Sequence, residues 1–412
     1  MRMRFLFGAI LFTAIRLHAS LTVSTDFESG SAKVLSLDET TQTIRITPGG
    51  DVNRGMPNWW FLRVDGLDSS KPLTLEIAAR KVSLPADSSA GGDPSPMNAA
   101  WIFPARAAIS MDGTNWSQTS PGKRQGDSCT YRITVHSSVL WLAWGPPFTP
   151  KNAVDLVGGL ARTHPFVKSF TLAKSLEGRD VPGLEISEGD KPTLQRPAIF
   201  ITARQHAWEI GGSWVAAGIA EWAVGDSEQA KWLRQNADIF IVPLLDVDHV
   251  ATGDGGKLAR PQDHNRDWSD APHWPEVAAA QKRLVQLAKE NRLALFLDLH
   301  NPAYSAKLQK FYVQHPPEVS ASVAELTEQF LGIARTEFGN IDLTDEKPPN
   351  PEVVRIWRRI SAPWVSEHGN PNTLSFTSET PWNTPQGTTA GYREVGRKLG
   401  LIVTQYLQQR AK

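Results

Sequence analysis

The sequence predicts two domains: an all-β sandwich of short strands, then an α/β layer whose mixed or parallel sheet is covered by helices on both faces. Three observations predict this. The chain has 412 residues, more than an ordinary single domain, and two domains are the natural expectation. Up to about Pro150 the apolar runs are short, many alternate with polar residues, and turn chemistry such as "PGGD" and "MDGTN" separates them. Beyond "PPFTPKNAVDL" (Pro146 to Leu156) the rhythm changes to strand-length apolar runs alternating with longer helical windows.

The first domain, residues 20–150, takes its strands from "LTVSTDF", "TIRITPG", "WWFLRVDGL", "LTLEIAAR", "AAISMDG", "TYRITVH" and "VLWLAWG". The second, residues 151–412, opens its sheet with "PAIFITAR" and continues with "ADIFIVPLLD", "LALFLDLHN", "KFYVQH" and "TLSFTSE". Its clearest helical windows are "GGSWVAAGIAEWAV", "PEVAAAQKRLVQLAKENR" and "TAGYREVGRKLGLIVTQYLQQR". In such sheets ligands bind beyond the carboxyl ends of the strands.

Residues 1–19 combine a charged start, "MRMR", with the short apolar run Phe5 to Ile15 and a small residue, Ala19. This layout predicts a signal peptide, hence a protein exported to the periplasm or beyond the cell, without a membrane span after cleavage. A buried helix or a retained anchor is the other reading, and Arg16 makes the cleavage region imperfect. Lys plus Arg and Asp plus Glu both number 43, so charge gives no case for a nucleic-acid partner or an anionic membrane. Cys129 is the only cysteine, which excludes an intrachain disulfide and a thiolate zinc site; any metal must be held by His and carboxylates.

Polar residues gather where the predicted strands end. "ARQHAWEIGGSW" sets His206 three residues before Glu209, "LDLHN" ends in His300, and "FTSETPW" carries Glu379. Two His and one Glu suffice for a catalytic zinc with a fourth position left for water. Singly, each has a bland reading: His206 and Glu209 at a helix N-terminus, His300 as a hydrogen-bonded strand-end residue, Glu379 as a solvated carboxylate. Together the bland readings require four accidents at one sheet edge. Asp298, two residues before His300, shares its face of the strand and either orients that imidazole or makes an ordinary turn hydrogen bond.

With "IVPLLDVDHV" and "DHNRDW", these segments resemble the zinc metallocarboxypeptidases, in particular the cytosolic-carboxypeptidase-like branch. Its zinc segment reads roughly A-R-x-H-x-x-E-x-x-x-S-W, and "TDFESGSAKVL", "WWFLRVDGL" and "WLAWGPPFT" resemble its small front domain. The resemblance implies a carboxypeptidase-like fold with a mixed sheet of the eight-stranded type. It implies one zinc per chain, held by His206, Glu209 and His300, with Glu379 as general base. It further implies Asn265 and Arg266 on the free C-terminal carboxylate of a peptide substrate. Arg260, with Arg204 as fallback, would stabilise the oxyanion. The expected function is zinc-dependent removal of C-terminal residues. The alternatives are a zinc amidase or deacylase acting on cell-wall peptides or N-acyl amino acids, and a binding protein using the Trp-rich sandwich.

Three features depart from that pattern. The family turn N-P-D-G is Asp246-Val247-Asp248-His249 here. A second metal is one reading of it; a turn built by Asp hydrogen bonds to its own backbone is preferred. No tyrosine lies between Tyr312 and Tyr392, where relatives carry a substrate-contacting one, so Tyr304 is the candidate replacement. Arg355, Arg358 and Arg359 fall where relatives shape the pocket for the terminal side chain and hint at an acidic substrate residue.

Overall fold

The computed structural model describes residues 20–85, 94–189, 192–345, 354 and 357–411. The segment read as a signal peptide, residues 1–19, lies outside them, as does Arg355.

The first unit is a pair of five-stranded sheets. One orders Thr22–Ser24, Phe61–Asp65, Val139–Ala143, Ala108–Ser110 and Ser117–Gln118; the other orders Lys123–Gln125, Ser128–Ile133, Leu73–Ala78, Thr43–Thr47 and Lys33–Asp38. Alternation drives the packing: Leu73, Leu75 and Ile77 are fully buried while Thr74 and Glu76 between them stay half-exposed. Trp60, ahead of one sheet, meets Tyr131 of the other with ring centroids 6.3 Å apart, and its indole N–H donates to the Ile102 carbonyl.

The second unit is built on a mixed eight-stranded sheet. Its four central strands, Asp238–Val242, Ala198–Ala203, Leu293–His300 and Leu374–Glu379, are parallel and neighbours in that order. Asp180–Ile186 and then Val167–Lys174 add antiparallel on one side. Gln309–Val313 adds antiparallel on the other, with Ile341–Asp345 parallel to it. The first three central strands are buried at every position, which is why they read as unbroken apolar runs.

Helices Ile210–Ala223 and Thr389–Arg410 pack on each other at glycines. A Cβ on Gly396 would lie 2.3 Å from the Val215 carbonyl oxygen, and one on Gly218 2.4 Å from that of Arg393. Gly212 matters more for the site, because its Cβ would lie 2.5 Å from the Leu299 carbonyl oxygen. The helix that begins after Glu209 can therefore sit against the strand that ends in His300.

Two of the joints between the sandwich and the sheet layer bear on the site. Trp208, between His206 and Glu209, packs edge-on to Trp101 and Trp144 of the sandwich at 5.4 and 5.5 Å, and Trp144 also meets Trp382 at 4.2 Å. Trp59, Trp60 and Trp144 are buried and Trp101 and Trp141 half-buried, so these five rings build cores and the joint rather than an open binding face. The second joint pairs residues 51–56 with the 254–260 loop. Gly256 N–H donates to Arg54 O, Met56 N–H to Lys257 O, and Arg260 N–H to Asn53 O. Asp254 accepts from Arg54 Nε at 2.6 Å and from the Asp51 amide at 2.8 Å.

Candidate metal centre and active site

The strand register brings the distant residues together. Ala203 pairs with Leu299, so the turn after the first strand lies beside the end of the second, and His300 pairs directly with Glu379. His206 Nδ1 lies 2.8 Å from Glu209 Oε1, and His300 Nδ1 lies 2.6 Å from Glu209 Oε2. All three residues are buried, and one donor atom from each falls within 4.8 Å of the others.

The outer nitrogens are also held. His206 Nε2 is 3.1 Å from Asp263 Oδ1 and His300 Nε2 is 2.8 Å from Asp298 Oδ2. Asp298 accepts further from Thr202 Oγ1, Gln205 Nε2 and Ser361 Oγ. Asp263 accepts from the amides of Leu258 and Asn265. If each imidazole donates its Nε2 proton outward, both Nδ1 lone pairs point at the oxygens of one carboxylate. Lone pairs facing lone pairs in a buried site call for a cation between them, so the donor set fits zinc. Burial opposes ionisation of Glu209, Asp263 and Asp298, but the imidazoles outweigh it and hold all three below the usual carboxylate range. His300 moves the other way: burial disfavours its charge, yet Asp298 and Glu209 hold its pKa well above that of a free imidazole.

Glu379 differs from these carboxylates. Burial and then the charge of Glu209 push its pKa up, while His300, Lys257 and Lys310 pull it down. It is the acid of the group poised to gain and lose a proton. Lys257, absent from the candidates read in the sequence, places Nζ 3.9 Å from Glu209 Oε1 and stays about 30% exposed. A spacing of one cation in a loop carries no pattern that sequence reading could use; the loop is folded into place by the sandwich.

Arg260, expected at the oxyanion, is exposed three residues beyond Lys257. Its fallback, Arg204, is a correction. That guanidinium is buried and committed to structure, donating to Ala207 O at 2.7 Å, Phe148 O at 3.1 Å and Ser213 Oγ at 3.3 Å. These bonds also explain its φ of 66°. The left-handed backbone costs ~1–2 kcal/mol, which charge-assisted hydrogen bonds of ~1.5–3 kcal/mol each offset. Asn265 is buried, with Nδ2 3.2 Å from His300 Nε2 and Oδ1 accepting from the Ser361 amide at 2.9 Å. Arg266 is half-buried beside it, donating to the Asn265 carbonyl.

Tyr304 stacks edge-on to Trp101 at 5.5 Å, and its hydroxyl accepts from Asn98 Nδ2, so it packs against the sandwich. Arg358 lies 3.7 Å from Glu367, and the Arg359 carbonyl accepts from the Trp268 amide. In the altered turn, Asp246 Oδ1 accepts from the His249 amide, the local bond that builds such a turn. Asp248 faces away, accepting from Ser175, the Glu177 amide and Arg179.

Residues 154–328 match the family model described as zinc carboxypeptidase, and residues 23–144 match that of the cytosolic carboxypeptidase N-terminal domain. Among curated relatives, an uncharacterized protein of Zymomonas mobilis is 26% identical over 261 residues, 63% of this chain and 62% of its own length. Cytosolic carboxypeptidase 1 of Danio rerio is 30% identical over 203 residues, 45% of this chain and 18% of that protein. The chain thus spans less than two thirds of either relative. Among solved structures, a metallo-carboxypeptidase from Burkholderia cenocepacia superposes with a TM-score of 0.78 at 16% identity, covering 95% of this chain and all of that one. Residues 154–328 thus fall in the zinc carboxypeptidase family and residues 23–144 in that of the cytosolic carboxypeptidase front domain. These matches overturn the expectation of a signal peptide and an exported protein, since front domain and relatives are named for cytosolic enzymes. A charged start before a short apolar run is a signal of composition alone, which segments other than signal peptides share. Among the described residues no helix is long and apolar enough to cross a membrane.

Proposed function

We propose that the chain is a zinc-dependent carboxypeptidase that hydrolyses the last peptide bond of substrates with a free C-terminal carboxylate. The observation that carries this reading is the convergence of His206, Glu209 and His300 beside Glu379, which the strand register pairs with His300. Bound there, a zinc ion would lower the pKa of a water and polarise the scissile carbonyl.

The protein's own groups do the rest. His206, Glu209 and His300 hold the ion, and Asp263 and Asp298 keep both imidazoles aimed at it. Glu379 takes a proton from the attacking water and passes it to the leaving amine, a role suited to a carboxylate whose pKa is raised. Lys257 takes the oxyanion role for which Arg260 was the sequence candidate, because it is the cation set against the cluster. Asn265 and Arg266 receive the terminal carboxylate, with the planar guanidinium suited to a two-point contact. A substrate lacking that carboxylate forgoes this two-point contact, which selects the chain end.

The test compares peptides ending in a free acid with the same peptides ending in an amide, for zinc-loaded wild type and Glu379→Gln. Hydrolysis of the free-acid series alone, lost in the variant, supports the reading. Equal hydrolysis of both series points to an amidase, and none with bound zinc points to a binding protein.

A further inference from the structure

Asp246, His249 and His264 form a second buried group of donors, each with a ligand atom within 4.8 Å of the others. None of the three is more than 2% exposed. It repeats the plan of the first centre. One carboxylate faces two imidazoles: His249 Nδ1 lies 2.8 Å from both oxygens of Asp246, and His264 Nδ1 lies 3.6 Å from Asp246 Oδ2. An outer carboxylate holds the far nitrogen of one ring, with His264 Nε2 2.8 Å from Glu276 Oε1. The 2.8 Å spacing equals that between His206 and Glu209 in the first centre.

Two independent observations point into this cluster. His264 Nδ1 is a buried polar atom without a hydrogen-bond partner. A fully buried imidazole nitrogen left unmet is destabilising, so a native site normally supplies something to meet it. With Nε2 donating to Glu276, that nitrogen presents a lone pair toward Asp246, a contact between acceptors that a cation would bridge. The rings are also fixed: Trp274 stacks on His264 at 4.2 Å with 10° between planes and meets His249 edge-on at 5.5 Å. The rigid tryptophan wall prevents His264 from rotating to find another partner.

We propose that Asp246, His249 and His264 bind a second divalent cation of the zinc type, structural rather than catalytic. Two imidazoles and a carboxylate supply three of zinc's four positions, with a water as the fourth ligand. Position argues for a structural role. Asp246 and His249 belong to the turn after one central strand, whereas His264 stands between Asp263, which holds His206, and Asn265. An ion here would tie the segment carrying Asp263, Asn265 and Arg266 to the sheet. The competing arrangement is a protonated His264 bridging Asp246 and Glu276 with no ion present.

Zinc bound to the full-length chain, loaded with zinc salt and dialysed free of excess, decides between them by elemental analysis. The expected result is two zinc ions per chain in the wild type, one in His206→Ala/His300→Ala, and one in His249→Ala/His264→Ala. A single ion in the wild type that His206→Ala/His300→Ala removes entirely overturns the proposal. A single ion that survives that double variant upholds it while removing the catalytic zinc. If His249→Ala/His264→Ala does not fold, the wild type and the first double variant still decide.

Discussion

The two carboxylate–dihistidine clusters have the same donors and different surroundings. Around His206, Glu209 and His300 stand Glu379, with a raised pKa, and Lys257, a half-exposed cation. Around Asp246, His249 and His264 stand the flat face of Trp274 and the buried Glu276. The ligands decide where an ion goes, and the groups beyond them decide whether it does chemistry. A carboxylate with a raised pKa and a partly exposed lysine stand at the first cluster. The second has a packed aromatic lid in their place.

The largest effect that tests this contrast is at Glu379. Replacing it by Gln should lower kcat/KM by ~10²–10⁴ with zinc content unchanged. The matching change at the other cluster, Glu276→Gln, should leave kcat/KM within a few-fold at temperatures where the protein is folded. Similar losses from both would break the distinction. Next is Lys257→Met, expected to cost ~10²–10³ in kcat with little change in KM. Arg260→Met is its control, and a larger loss there would return the oxyanion role to Arg260. Smaller again is Asp263→Asn. Loss of an outer carboxylate should weaken zinc at the first cluster by ~10–100-fold, read by competition with a chromogenic chelator.

The smallest effect is a pH dependence that differs with metal. Burial disfavours the charge on His264, yet Asp246 and Glu276 outweigh it and raise the pKa to about 9 without an ion, from an ordinary 6.5. A raised pKa stabilises the metal-free fold fully below the unfolded value, and that stability is lost as pH climbs through the folded one. Thermal melts of chelator-treated protein should therefore fall by several degrees between pH 7 and 10. His264→Asn should flatten that slope. With a cation on Nδ1, protonation competes with the ligand and the loss moves to acid pH. Melts with and without zinc that show the same alkaline loss would count against the second ion.

Much of the first cluster was legible because each residue ended a patterned strand. His206, Glu209, His300 and Glu379 follow apolar runs whose length marks them as buried strands, and their spacing matches a known motif. Lys257 was not legible as a site residue, because it sits in a loop with no period, and Asp263, though it opens "DHNRDW", was not, because nothing local says that it faces His206. The second cluster was half legible: Asp246 and His249 stood out in an altered turn, but His264 lies fifteen residues further on and nothing local links it to them. The helices Pro150–Thr163 and Ala321–Phe338 and the hairpin Val167–Lys174 with Asp180–Ile186 lay between the runs that drew attention. The export reading failed for a related reason. Charge followed by a short apolar run is composition without geometry.

The sequence by itself determined which strands are buried on both faces, which residues end them, and that any metal must be held by His and carboxylates. Those are local properties: hydrophobic period, turn chemistry and the donor atoms of side chains. Only the tertiary structure decided that Lys257 rather than Arg204 faces the cluster, that Asp263 holds His206, and that His264 joins Asp246. Each of these depends on how the 254–266 segment is anchored, by amide hydrogen bonds to residues 53–56 of the other domain and by the wall of Trp274. Contacts between residues two hundred positions apart leave no period in a sequence, because the chain need only close a loop to make them.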